Sequence, residues 1–473
     1  MKEDSMTEKK NFNVAVIGSG PGGYTAAIRA AQLGKSVALI EKDKLGGTCL
    51  NVGCIPSKAL LANAAVLHQV KRAAEFGITT GPISFHYDKM KARKDSVVAK
   101  IRSGLEGLIK SNKITIFRGG AQFESPRELK VIGQDNLFIS ADQIIIASGS
   151  VPTDVKAFPC DHKRILNSTS MLEVTEAPKS LAIVGGGYIG CEFASLFAEL
   201  GTKVTILEAL PMILTPQGKE ISQFMTKSFT AKGVDIQTNV KVLGIENKGS
   251  HVHISLEGRK TMEADLCLVS VGRKIYTDGL HLEKAGLKLA EKGYLETDDR
   301  METEVKGIYA IGDLTGKWML AHVASHQGIV AASNAAGHAE KMNYDAVPAV
   351  VFTTPEIATV GMTLEGALSA GYNAVAGTFP FMALGKAQAA METEGFSQVI
   401  SDKKTGQILG AIVIGHEASN LIAEMALAIQ NELTLDSVIG TIHAHPTLAE
   451  SWLEAALMAA DRPIHFPPKA KRP

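Results

Sequence analysis

One layout that occurs twice constrains this chain more than any other feature. Asn13-Val-Ala-Val-Ile-Gly18 is an apolar, β-branched run ended by glycine, which predicts a buried strand. Ala26 to Leu33, closed by Gly34, predicts a helix, and Ser36 to Glu41 a second strand. The same order returns at Ser180 to Gly187, Cys191 to Leu200 and Lys203 to Glu208. Each copy is a βαβ unit, and such units build a parallel sheet flanked by helices. Two further apolar strands end in glycine at matching places late in each copy, Gln143 to Gly149 and Leu266 to Gly272. From about Pro348 strand-like and helical segments alternate, such as Ile408 to Ile414 and Asn420 to Asn431. The expected fold class is α/β: two Rossmann-like dinucleotide-binding domains and a C-terminal α+β domain. Expected segments are 1–152, 153–278, 279–347 and 348–473.

The loops carry the chemistry. In Gly18-Ser-Gly20-Pro-Gly-Gly23 the first glycine permits the turn and the second lets a pyrophosphate approach the backbone. The third lets helix and strand pack closely, and the helix N-terminus offers amide donors and partial positive charge. Glu41 ends the second strand, where a carboxylate accepts from ribose hydroxyls. Gly185-Gly-Gly187-Tyr-Ile-Gly190 repeats the spacing, with Glu208 in the acid's place. A carboxylate there repels a ribose 2′-phosphate and no arginine stands near to bind one, so NAD is expected rather than NADP. Two dinucleotide sites imply two cofactors, and FAD beside NAD pairs an electron store with a hydride carrier. Ser148 and Gly149 are placed with the FAD site and Gly272 with the NAD site.

That combination needs a third redox partner. Cys49 and Cys54 follow the first βαβ unit closely. A regular helix would hold residues five apart at roughly 8–9 Å between Cα atoms, whereas a disulfide needs less than about 7 Å. The segment must therefore bend, and Gly53 gives it room. A long helix, Ser57 to Phe76, is expected after Pro56, and its dipole favours a thiolate at Cys54, with Lys58 adding charge. No second cysteine pair or histidine cluster completes a metal set, so a redox pair is expected and no metal. Cys160, Cys191 and Cys267 are expected as buried small hydrophobes. Near the end, His443-Ala-His445-Pro-Thr-Leu-Ala-Glu450 precedes an apolar helix, Trp452 to Ala460. A histidine and glutamate so close can pair as a base for a thiol near neutral pH, and a capping or core histidine is the alternative.

Composition narrows the rest. Lys plus Arg and Asp plus Glu number 49 each, so no broad field attracts nucleic acid or an anionic membrane. The short basic tail Lys469 to Pro473 reads as solvated. Met1 to Lys10 is charged and lacks an apolar signal core, and no run of about 20 apolar residues is expected further on. The protein is expected in the cytoplasm.

These motifs together resemble the pyridine nucleotide-disulfide oxidoreductases, class I, over Asn13 to Pro463. Residues 46–58, GGTCLNVGCIPSK, are similar to the family's redox-disulfide motif in its lipoamide form. Tyr309 to Asp313 with Met319-Leu320-Ala321-His322 resembles its second FAD-contacting stretch, placing 279–347 in the FAD site. Thr354 to Gly361 and residues 443–450 resemble its dimerisation-domain signatures. The resemblance implies oxidation of protein-bound dihydrolipoamide by NAD⁺, with a glutathione-type reductase as the alternative. It implies that Cys49 exchanges with substrate and Cys54 is the charge-transfer thiolate against the flavin. Lys58, paired with Glu192, sits near the flavin edge, and Asp313 lies on its ribityl or phosphate side. His445, oriented by Glu450, is the base and reaches the cysteines of a second subunit in a homodimer. Implied partners are lipoyl domains of a dihydrolipoamide acyltransferase core or a glycine-cleavage carrier protein. The chain departs from the pattern at Gln327, where glutamate is common, at Cys191, and in the loop after Arg273, which lacks a proline.

Overall fold

The computed structural model describes residues 8–467. The charged start and the basic tail lie outside them in large part. The chain forms two compact units, each discontinuous in sequence. One joins the described residues up to Ala177 with Leu268–Asn343; the other joins Pro178–Cys267 with those from Tyr344 on.

In the first unit, strand Lys9–Ile17 lies between Val37–Glu41 and Leu137–Ile146, parallel to both. Thr115–Ser125 extends the sheet parallel to Val37–Glu41, and Ile308–Ala310 lies parallel to Leu137–Ile146. Val14, Ala15, Val16 and Ile144–Ile146 are fully buried, as a parallel sheet covered on both faces requires. Helix Pro21–Gln32 starts with proline in its first turn, where the missing N–H costs nothing. Gly23 cannot be anything larger: a Cβ there would sit 1.9 Å from the Gly18 carbonyl oxygen. Strands Thr115–Ser125, Glu128–Gly133 and Leu137–Ile146 also run on as an antiparallel meander.

In the second unit the repeated layout appears as strand Ser180–Val184, helix Tyr188–Glu199 and strand Lys203–Leu207, with Asp235–Gln237 added in parallel. A separate antiparallel sheet orders Ala349–Val351, Glu356–Gly361, Ile408–Gly415, Phe396–Asp402 and Ala374–Pro380. Helices Ala418–Gln430 and Glu450–Ala459 pack on it around fully buried Trp452, whose Nε1 donates to the Leu421 carbonyl at 3.0 Å. The second of these helices rides directly on the sheet, because Gly377 leaves no side chain beneath the Ala455 carbonyl.

One stretch departs from the sequence expectation about apolar runs. Gly47–Lys71 is long and apolar enough to cross a membrane by length and composition, with mean hydropathy 1.3. It is two helices, Gly47–Val52 and Cys54–Lys71, broken at Gly53, where φ is −144° and ψ −111°. It also carries Lys58 and both cysteines. The second helix thus starts at Cys54, ahead of the expected Ser57, with Pro56 tolerated in its first turn. It stops at Lys71, and Ala73–Phe76 is a separate 3₁₀ turn.

Candidate active site

The break at Gly53 puts the two cysteines on different helices. Cys49 lies mid-way along the first and Cys54 opens the second. The Cys49 thiol donates to the Cys54 sulfur, and this bond first, then burial, raises it far above the ordinary thiol range. Lys58 is near enough for its charge to oppose that rise. Asn51 fastens the segment, donating to the carbonyls of Leu45 at 3.0 Å and Gly47 at 2.9 Å and accepting from Arg102 at 3.0 Å.

The cysteine helices begin on the first glycine loop. The Gly46 amide donates to the Ser19 carbonyl at 3.0 Å, and a Cβ at Gly47 would lie 2.7 Å from Gly20 Cα. Gly18 abuts Ala147 and Ser148, while Ser148 Oγ donates to the Tyr276 carbonyl at 2.6 Å and Gly149 accepts from the Tyr276 amide at 2.9 Å. Asp313 accepts from Ser150 Oγ, which in turn accepts from Arg273 Nε at 2.7 Å. Gln327 is fully buried and its Oε1 accepts from the Gly312 amide at 2.6 Å, so the amide serves as an acceptor where glutamate is common. Met319 to His322 form the entry to helix Ala321–Ala335.

Both glycine loops fit a dinucleotide. At Gly20 and at Gly187 a Cβ would meet nothing within 4 Å, which leaves room for a pyrophosphate. Neither following helix has a side-chain cap on its first turn, so its amides point at that room. Glu41 Oε2 accepts from the Ser19 amide at 2.8 Å, and Glu208 Oε2 from the Gly186 amide at 2.6 Å, one position after the first glycine in both. Gly190 is buried inside helix Tyr188–Glu199, beneath the loop. Gly272, by contrast, belongs to the first unit and has φ of +129°.

In the second unit His445 Nδ1 lies 2.9 Å from Glu450 Oε1, and Glu450 Oε2 accepts from the Thr447 amide at 2.8 Å. Burial works against the Glu450 carboxylate, but the Thr447 amide, the bond to His445 and the charges of His445 and His443 hold it below its ordinary range. Glu192 is buried and accepts from the Phe352 amide at 3.0 Å. Three residues beside these sites carried no local signal in the sequence: Ser150, Asn51, and Glu424, which pairs with His443 at 2.9 Å. Cys191 and Cys267 are buried as expected, whereas Cys160 is only half-buried, because it sits on a loop between short strands. Burial and the charges of Asp154 and Asp161 push its thiol up to about 11.

A dithiol whose helix starts on the backbone of a phosphate loop lies where it can pass electrons to what that loop holds. The class is therefore a dinucleotide-dependent dithiol oxidoreductase. Residues 12–328 match the family described as pyridine nucleotide-disulphide oxidoreductase, and residues 347–456 match the dimerisation domain of that family. The chain is 50% identical to dihydrolipoyl dehydrogenase of Chlamydia pneumoniae, across 98% of this chain and 100% of that one. It is 44% identical to dihydrolipoyl dehydrogenase of Geobacillus stearothermophilus, across 95% and 97%. The crystal structure of LpdA from Mycobacterium tuberculosis superposes with a TM-score of 0.89 at 28% identity, covering 94% of this chain and 99% of that one. The chain belongs to the pyridine nucleotide-disulphide oxidoreductase family. Its cofactors are FAD and NAD, and with the family's dimerisation domain it forms a homodimer.

Proposed function

We propose that the chain is a dihydrolipoyl dehydrogenase, which oxidises protein-bound dihydrolipoamide to lipoamide and reduces NAD⁺. The observation that carries this reading is the free Cys49 thiol hydrogen-bonded to Cys54 on a helix pair whose first member starts against Gly20. FAD is assigned to 1–152 with 279–347, NAD to 153–278 and dimerisation to 348–473. Gly18, Gly20, Gly23, Glu41, Lys58, Ser148, Gly149, Asp313 and Met319 to His322 hold FAD; Gly185, Gly187, Gly190, Glu208 and Gly272 hold NAD. When bound, FAD accepts an electron pair from the dithiol and NAD⁺ takes it on as hydride.

His445, its Nδ1 bonded to Glu450, removes the proton of a substrate thiol at Nε2. The thiolate attacks Cys49 Sγ; the Cys49–Cys54 bond breaks and its electron pair goes to Cys54. The second substrate thiol then displaces Cys49, which releases lipoamide and leaves two reduced cysteines. A proton kept on Cys49 leaves the charge of the pair on Cys54, close to Lys58. Glu192 and Lys58 are assigned as charged residues flanking this chemistry. The partners are lipoyl domains of an acyltransferase core or a glycine-cleavage carrier, in the cytoplasm. Purified holoenzyme is expected to reduce NAD⁺ with free dihydrolipoamide and to ignore glutathione disulfide with NADPH. The reverse pattern would make it a glutathione-type reductase.

A further inference from the structure

Two residues before His445 stands a second histidine with its own carboxylate. The His443 side chain is 5% exposed. Its Nδ1 faces the Thr441 carbonyl oxygen at 3.0 Å and its Nε2 faces Glu424 Oε1 at 2.9 Å. A carbonyl and a carboxylate can only accept, and a neutral imidazole has only one N–H to give. Either neutral tautomer would leave a ring lone pair facing an oxygen, at the cost of an unmade hydrogen bond. Only the imidazolium donates on both sides. Thr441 is itself held, its Oγ1 donating to the Ser437 carbonyl at 2.8 Å.

Glu424 belongs to helix Ala418–Gln430, which is packed on the sheet through buried Ile422 and Met425. The bridge therefore ties the stretch between Gly440 and Pro446 to a rigid element. The charge of His443 also reaches Glu450 and helps to keep it ionised. Along this edge acid and base alternate: Glu424, His443, Glu450, His445.

We propose that His443 is a positioning residue for thiol deprotonation: bridging the Thr441 carbonyl and the Glu424 carboxylate, it fixes the segment that carries His445. This rests on the reading of His445 as the base. It adds a residue that acts through the dyad without touching substrate.

The test separates the two halves of the reaction in stopped flow, using holoenzyme with bound FAD. His443→Gln is expected to slow reduction by dihydrolipoamide about tenfold, less than the 10²–10⁴-fold that a general base supplies. Reduction by NADH, which needs no thiol base, should stay within about twofold of the wild-type rate. Glu424→Ala should match His443→Gln, and Glu424→Gln, which keeps an acceptor for Nε2–H, should recover at least about half of the lost rate on a logarithmic scale. His445→Gln is run beside them. If His445→Gln is slow and both His443→Gln and Glu424→Ala keep the wild-type rate, His443 has no positioning role and the base stands. If His445→Gln itself is fast, the base reading falls and the proposal with it. Equal slowing of the NADH half-reaction in both variants would also overturn it, as general loss of structure. Should His443→Gln fail to fold, Glu424→Ala against Glu424→Gln decides alone, and equal rates in that pair would overturn the bridge.

Discussion

The two glycine loops follow one plan and differ in what they are fastened to. Each acid accepts from the amide one residue past the first glycine. In the first loop Ser19 Oγ also donates to Glu41 at 2.6 Å in a buried setting, and the Ser19 carbonyl takes the Gly46 amide that leads into the cysteine helices. In the second loop Gly186 occupies the matching position and brings no hydroxyl; in both loops the acid's Oε1 takes the amide two residues on, Glu41 from Asp43 at 2.9 Å and Glu208 from Leu210 at 2.7 Å. The first loop is thus tied through Ser19 to the segment that carries the redox sulfurs, a tie for which Gly186 has no side chain to offer. That difference suits a resident cofactor in one and a carrier that comes and goes in the other.

Substitutions at matching positions test the contrast. The largest effect is expected at Gly23: alanine there meets the Gly18 carbonyl at 1.9 Å, so backbone must move. Strain of about 1–3 kcal/mol translates to a loss of FAD affinity of about five- to 150-fold, read as flavin content after dialysis. A yellow, fully loaded Gly23→Ala protein would remove the claim that this turn shapes the site. Next comes Glu208→Gln, which gives up a charge-assisted bond to the loop. KM for NAD⁺ should rise about tenfold, the low end of a charged hydrogen bond's contribution, while flavin content stays unchanged. Loss of FAD in that variant would mean the loops are not independent. The smallest effect belongs to Ser19→Ala, which removes the hydroxyl that only the first loop has. FAD release should quicken about fivefold, in line with a buried hydrogen bond of about 1 kcal/mol, with KM for NAD⁺ unmoved.

Much of this was legible in the chain. The two βαβ units, the need for a bend between Cys49 and Cys54, and the closeness of His445 to Glu450 all follow from short-range pattern. In each case the partners are a few residues apart or joined by a known period. What the sequence hid is made of long-range pairings. The antiparallel meander from Thr115 to Ile146 has no local mark, and the return of the chain to the first unit was marked only by the resemblance of Tyr309 to His322, with the turn back at Leu268, ahead of the expected 279. Arg273 reaching Ser150, and Ser150 reaching Asp313, joins three distant parts of the chain. Glu424 is nineteen residues from His443 and lies on another helix, so no motif could pair them. Cys160 departs from the expectation that a lone cysteine is buried, because its loop leaves it half in solvent.

The central claim is that electrons enter through Cys49. Cys49→Ser holoenzyme mixed anaerobically with dihydrolipoamide measures it directly. The account predicts a protein that keeps its FAD, stays oxidised in the presence of dithiol, and is still bleached by NADH. Bleaching of the flavin by dihydrolipoamide at the wild-type rate would contradict it.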